Sequence, residues 1–175
     1  MRQSGSHVGE PLALLLLPAK LEEFELAAHV RGLLRIPRVA ALEPGRMRIP
    51  RLLRQSAPVR AARRLRLPGE PRVIVLYRPE QYPLARALCA RYPEAELWYI
   101  RPASPAPEAE GASAELIDLD RLAAERAGEE RVGAQGAELS QVEERLLVRL
   151  QELEVISSRP FVPGARVQGF RARGV

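Results

Sequence analysis

The chain has 175 residues and a formal net charge of +5, with 46% hydrophobic and 28% charged residues. That length allows one domain with a sizeable core and leaves little room for a second. Cys89 is the sole cysteine, which excludes an internal disulfide or a multi-cysteine zinc site, and no apolar run approaches the ~20 residues of a transmembrane helix.

Arginine supplies the positive charge: Lys20 is the only lysine, and threonine and asparagine are absent, as codon bias in a GC-rich genome would produce. The charge therefore informs on association rather than on fold.

The first ten residues, MRQSGSHVGE, form a polar leader expected to be disordered and to contain His7. The apolar run LALLLL (12–17) predicts a buried strand. It is too short for a signal peptide, with only Arg2 ahead of it and Glu10 beside it, so the chain reads as cytoplasmic. Over 21–35, Leu26, Ala27, Val30, Leu33 and Leu34 fall on one helical stripe, with His29 at its flank and expected at the surface. RVAAL (38–42) predicts a second strand.

Residues 45–69 then carry eight arginines and no acid. Three readings stay open for this block: a solvated helix, a nucleic-acid surface, or a surface for anionic lipid. The block has no aromatic residue to stack on bases, which disfavours nucleic acid. Leu52, Leu53, Val59 and Leu65 accompany the charge, which suits a peripheral membrane contact through Arg60, Arg63 and Arg64.

RVIVLY (72–77) predicts a third strand without polar alternation, as expected of a strand covered on both faces. Pro83 suits the first turn of a helix over 83–92, whose stripe is Leu84, Ala87 and Leu88, with Cys89 as a small buried residue. ELWYI (96–100) predicts a fourth strand. The stretch 101–115 reads as a loop with three prolines, and 127–138 as a Gly-rich loop.

Asp118-Leu-Asp120 could hold a divalent cation, but the simpler expectation is that Asp120 caps a helix starting at Arg121 while Asp118 ends a short extended run. Ser140 and Glu143 match a capping box opening a helix over 141–152, in which Val142, Leu146 and Leu150 recur. LEVIS (153–157) predicts a fifth strand, and 163–175 a basic tail.

Strands alternating with helices predict a single α/β domain over 11–162, an open, mostly parallel Rossmann-like sheet flanked by helices. Such sheets bind ligands outside the carboxyl ends of their strands. The residues just past each run are therefore candidates: Lys20 and Glu22, Glu43, Arg78, Glu80, Gln81 and Tyr82, Arg101, and Ser157, Ser158 and Arg159. The RPEQYP turn is either a ligand loop stiffened by Pro79 and Pro83 or an ordinary strand-to-helix turn. No G-x-G-x-x-G follows the first strand and no P-loop occurs, so no nucleotide cofactor is expected; with only His7 and His29 available, no metal is expected either.

The succession LLLLPAKLEEFELAAHV, an arginine-rich segment, RLPGEPRVIVLYRPEQYPLARAL, AELWYI and LEVISSRP resembles the N-terminal, acceptor-side Rossmann-like half of two-domain (GT-B type) glycosyltransferases of bacterial cell-surface polysaccharide or glycolipid synthesis. The resemblance is one of pattern and order over about 12–162. It implies a cleft that receives the sugar or lipid-linked acceptor. Glu22 or Glu80 would be the general base toward an acceptor hydroxyl, and Arg78, Gln81, Tyr82, Arg101 and Ser158 would bind substrate. It also implies a donor-binding partner domain or subunit. About sixteen residues follow Arg159, so the isolated chain is expected to be inactive in transfer. The alternative, from a different class, is a non-catalytic basic α/β module for anionic lipid or nucleic acid.

Overall fold

Uninterrupted apolar runs need cover on both faces, and the structure provides it by gathering them into one parallel sheet. The computed structural model describes residues 10–17, 27–42, 57–101, 114–128, 131–133 and 137–156. In chain order these form β1 (Pro11–Leu16), α1 (Ala27–Leu33), β2 (Val39–Leu42), α2 (Ala57–Arg64), β3 (Glu70–Leu76), a 3-10 turn (Pro79–Gln81), α3 (Tyr82–Arg91), β4 (Glu96–Ile100), α4 (Ala114–Ala127), β5 (Val132–Gly133) and α5 (Ala137–Glu152). The sheet order is β2-β1-β3-β4-β5, and every pairing is parallel.

Side chains alternate across each strand, and the two faces bury separate cores. Leu12, Leu14, Leu16, Ile74, Leu76, Leu97 and Tyr99 pack under α2, α3 and α4 through Ala61, Ala62, Leu84, Ala85, Leu88 and Ala123. Ala13, Leu15, Val73, Val75, Tyr77, Trp98 and Ile100 pack under α1 and α5 through Val30, Leu33, Val142, Leu146 and Leu150. Burying a leucine fully contributes about 1.5–3 kcal/mol, so the buried leucines of β1 weigh heavily in stability. Cys89 is buried as expected, and that burial pushes its thiol pKa up against the pull of Arg126.

Two glycines are fixed by geometry. A Cβ on Gly69 would lie 2.2 Å from the Glu10 carbonyl oxygen, where β3 enters beside β1. Gly128 has φ +83° and ends α4 in the left-handed conformation that spares glycine a steric penalty.

Several expectations are corrected. Residues 153–156 are not a strand. Instead they close α5: Leu150 O accepts hydrogen bonds from Val155 N at 2.9 Å and Ile156 N at 3.1 Å, Glu154 adopts φ 58°, and Val155 is buried against the α5 face. The apolar residues that resemble a strand are the hydrophobic contact of a helix C-terminus. Helix α5 begins at Ala137, so Ser140 lies inside the helix and not at its cap. Helix α4 likewise begins at Ala114, so Asp118 and Asp120 are both mid-helix residues and Asp120 is no cap. The loop expected over 127–138 holds β5, and α5 has started before it ends. His29 is buried, not at the surface. The leader (1–9), most of the Arg-rich block (45–56) and the tail (163–175) lie outside the described residues.

Candidate functional site at the carboxyl edge

In the order β2-β1-β3-β4-β5 the chain reverses its direction of travel between β1 and β3, and the crevice at the carboxyl ends there is where open α/β sheets bind ligands. Within the described residues that edge is built by the ends of β1, β3 and β4 and by the turn after β3. Glu22 and Ser158, and with them Lys20, Glu43, Ser157 and Arg159, lie outside the described residues.

The RPEQYP turn is held from inside. Gln81 is buried, and its Oε1 accepts hydrogen bonds from Tyr77 N at 2.9 Å and Arg78 N at 3.1 Å. The amide side chain thus takes over the ladder bonds that β3 leaves unmade when it stops. Pro79 and Gln81 are buried, Glu80 is exposed, and Pro83 lies in the first turn of α3, where a missing N–H costs nothing. Tyr82 is buried against α3's own core. Gln81 and Tyr82 therefore shape the loop, while Arg78 and Glu80 are its more accessible members.

Arg78 keeps an extended backbone, φ −135° and ψ 140°, so strand alternation sets it on the same face as Leu76. Leu76 pairs with Tyr99 in β4. Arg78 lies two residues past the end of β3 and Arg101 one residue past the end of β4, so both follow neighbouring strands at the same edge of the sheet.

Arg101 is anchored by α4. Its Nη2 donates to Asp120 Oδ2 at 2.8 Å, and Tyr99 OH donates to Asp120 Oδ1 at 2.6 Å. The guanidinium also lies 5.5 Å from the centre of the Tyr99 ring. Burial first, and then the bond and charge of Asp120, push the Tyr99 phenol far above its ordinary pKa, so it stays a donor. The Arg101 side chain is 34% exposed and that of Asp120 12%. Arg101 Nε is buried and has no hydrogen-bond partner among the described residues. The sequence marks Arg101 as a candidate by its position after β4 but does not show the bond to Asp120 or the contact with the Tyr99 ring. The usable signal was the placement of Asp120 on the same helical face as buried Ala123 and Ala127.

A second polar group lies on the opposite face. His29 of α1 and Tyr77 meet edge to face with centroids 6.1 Å apart, and His29 Nδ1 is 3.2 Å from Glu143 Oε1 of α5. The contact is not an aligned hydrogen bond: neither His29 nitrogen has a hydrogen-bond partner among the described residues, and neither does Tyr77 OH. Burial, then the Glu143 charge, raises the Tyr77 pKa strongly, which keeps the phenol neutral. No group of three or more His, Cys, Asp or Glu able to hold a metal occurs among the described residues, and no helix among them is long and apolar enough to cross a membrane.

The fold and the edge define the class: an open, parallel α/β sheet of order 2-1-3-4-5 with two arginines at its carboxyl ends. Comparison with protein-family models, curated proteins and solved structures yields no match.

Proposed function

We propose that the carboxyl edge binds the anionic part of a substrate, and that the chain serves as the acceptor-side domain of a glycosyltransferase acting on a phosphate-bearing or lipid-linked sugar acceptor. The observation that supports this reading is Arg101, just past the end of β4 and bonded to Asp120, with Arg78 just past the end of the neighbouring strand β3. Planar guanidinium forks suit phosphate oxygens, and the Arg101 side chain remains partly exposed beside its bond to Asp120.

Glu80, exposed on the same turn, is the carboxylate that would accept the proton of an acceptor hydroxyl, with the RPEQ backbone held by Gln81. Sugar transfer in this reading also requires a donor-binding domain or subunit. The chain alone would bind acceptor and not turn over a nucleotide sugar.

Calorimetry with glucose 1-phosphate and with glucose tests the binding step. The phosphate ester should bind and the neutral sugar should not, and Arg101→Gln should weaken the ester about tenfold or more, as loss of a charge-assisted hydrogen bond does. Equal affinity for both sugars, or an Arg101→Gln variant that binds as well as the parent, would overturn the reading.

A further inference from the structure

We propose that the outer surface of α2 and α3 is a docking surface for an anionic lipid bilayer. The two helices lie side by side over the same face of the sheet. They turn Ala61, Ala62, Leu84, Ala85 and Leu88 inward. Every charged residue they leave outside is arginine: Arg60, Arg63 and Arg64 on α2, Arg66 just after it, and Arg86 and Arg91 on α3 are all exposed, beside Val59 and Ala90. Neither helix contains an acidic residue. Arg60, Arg63, Arg64, Arg66 and Arg86 have no carboxylate within ion-pairing distance among the described residues.

Like charges at helical spacings of three and four repel, so this array works against the fold that carries it. Only Arg91 has an internal task. Its guanidinium donates to the carbonyls of Ala62 and Leu65 and so ties the end of α2 to the end of α3. The remaining five present their charge to whatever lies outside.

Two features select a bilayer as the occupant. Val59, 44% exposed, is one of two large hydrophobic side chains left exposed among the described residues, and it sits on α2 within this basic surface. An apolar side chain among guanidinium groups matches the headgroup region, where phosphates meet the edge of the acyl layer. Nucleic acid fits less well, because neither helix exposes an aromatic ring for stacking; Tyr82 is buried and Tyr92 is half-buried beneath Arg91. This surface lies on the outer side of the helices rather than at the strand ends, so the proposal stands or falls independently of the carboxyl-edge reading.

The test is co-sedimentation of the full chain with phosphatidylcholine vesicles, with and without about 30% phosphatidylglycerol, at about 0.1 M salt. The chain should partition onto the anionic vesicles and not the neutral ones. Each arginine near such a surface contributes roughly fivefold, so Arg60→Gln/Arg63→Gln/Arg64→Gln should lower partitioning roughly 100-fold. Glutamine has nearly the helix propensity of arginine, so circular dichroism should show the variant folded. Arg31→Gln/Arg35→Gln, on exposed positions of the α1 side, is the control and should lower partitioning less than about threefold. Equal partitioning onto neutral vesicles, equal loss in the two variants, or retention on duplex DNA without vesicle binding would each overturn the proposal.

Discussion

Helices α2 and α3 carry arginines without acids, whereas α4 and α5 carry both signs and use them. On α4, Arg121 pairs with Glu125 at 3.0 Å and Asp118 at 3.6 Å. On α5, Arg149 grips Glu96 of β4 through Nε at 3.0 and 3.1 Å and Nη2 at 2.5 Å, and reaches Glu152 at 2.6 Å. Charge in the second pair of helices is met by an opposite charge, on the surface of α4 itself and, through Glu96, between α5 and β4. Charge in the first pair, apart from Arg91, makes no bond that the fold requires. The lesson is that net charge says little until each group's partner is known: Arg149 ties α5 to β4, while the same side chain on α2 has no acidic partner among the described residues and faces outward.

The contrast can be broken or sharpened by removing charges one region at a time. Asp120→Ala should have the largest effect, about 3 kcal/mol by thermal or urea denaturation, because it leaves the buried Tyr99 hydroxyl without an acceptor and removes the charged partner of the partly exposed Arg101. Glu96→Gln should cost about 2 kcal/mol by the same measurement, since it dismantles the Arg149 fork. Burial pushes the Glu96 pKa up, but the Arg149 hydrogen bonds and the Arg131 and Arg149 charges outweigh it and hold the carboxyl below its usual 4.5. Its contribution is therefore complete above about pH 4.5 and is lost as the pH falls through the lowered folded-state value. Urea midpoints measured from pH 7 to pH 3 should show the parent losing more stability than Glu96→Gln over that acid limb.

How much of this was legible beforehand depended on which signal each feature leaves. β1, β3 and β4 announced themselves as apolar runs, because a strand buried on both faces has no polar alternation to hide it. LEVIS carried the same composition and misled, since a helix C-terminus also buries consecutive apolar residues when the chain turns back on its own last turn. Helix starts were placed late because Ser140 and Asp120 are good caps by residue type, while the residues ahead of them, Ala137 to Leu139 and Ala114 to Leu119, continue the helix without any cap signal. At the candidate site, Arg78 and Arg101 are candidates because each follows a strand, and the structure does set each just past a strand end. Gln81, a candidate by the same rule, is buried and its side chain holds the turn through Tyr77 N and Arg78 N, bonds that its position in the sequence does not announce. The bonds of Asp120 and the burial of His29 depend on contacts between elements far apart in the chain, which a pattern of neighbours cannot reveal.

Two smaller effects sharpen the comparison further. Arg91→Met keeps the length of the side chain but removes its bonds to the Ala62 and Leu65 carbonyls. It should cost about 1 kcal/mol and speed amide hydrogen exchange in α2 more than in α4. Single alanine substitutions of the two charge types should then separate cleanly. Arg121→Ala should lose about 0.5 kcal/mol, with the loss shrinking as salt is raised, whereas Arg63→Ala should change thermal stability by less than that and in either direction.

The sheet order carries a kinetic consequence. The two central strands, β1 and β3, are not consecutive; β2 lies between them in the chain and outside them in the sheet. Leu14 pairs with Ile74, so joining the central pair closes a loop of about 60 residues before either core face has its middle. Contacts so distant in sequence slow the search for the native topology, and folding should fall in the slower range for mixed α/β domains. Loop-closure entropy grows only slowly with length, so doubling the intervening segment would add only about 0.6 kcal/mol to that step. Evolution could therefore lengthen the connections between β1 and β3 at little cost while their pairing continued to set the tempo of assembly.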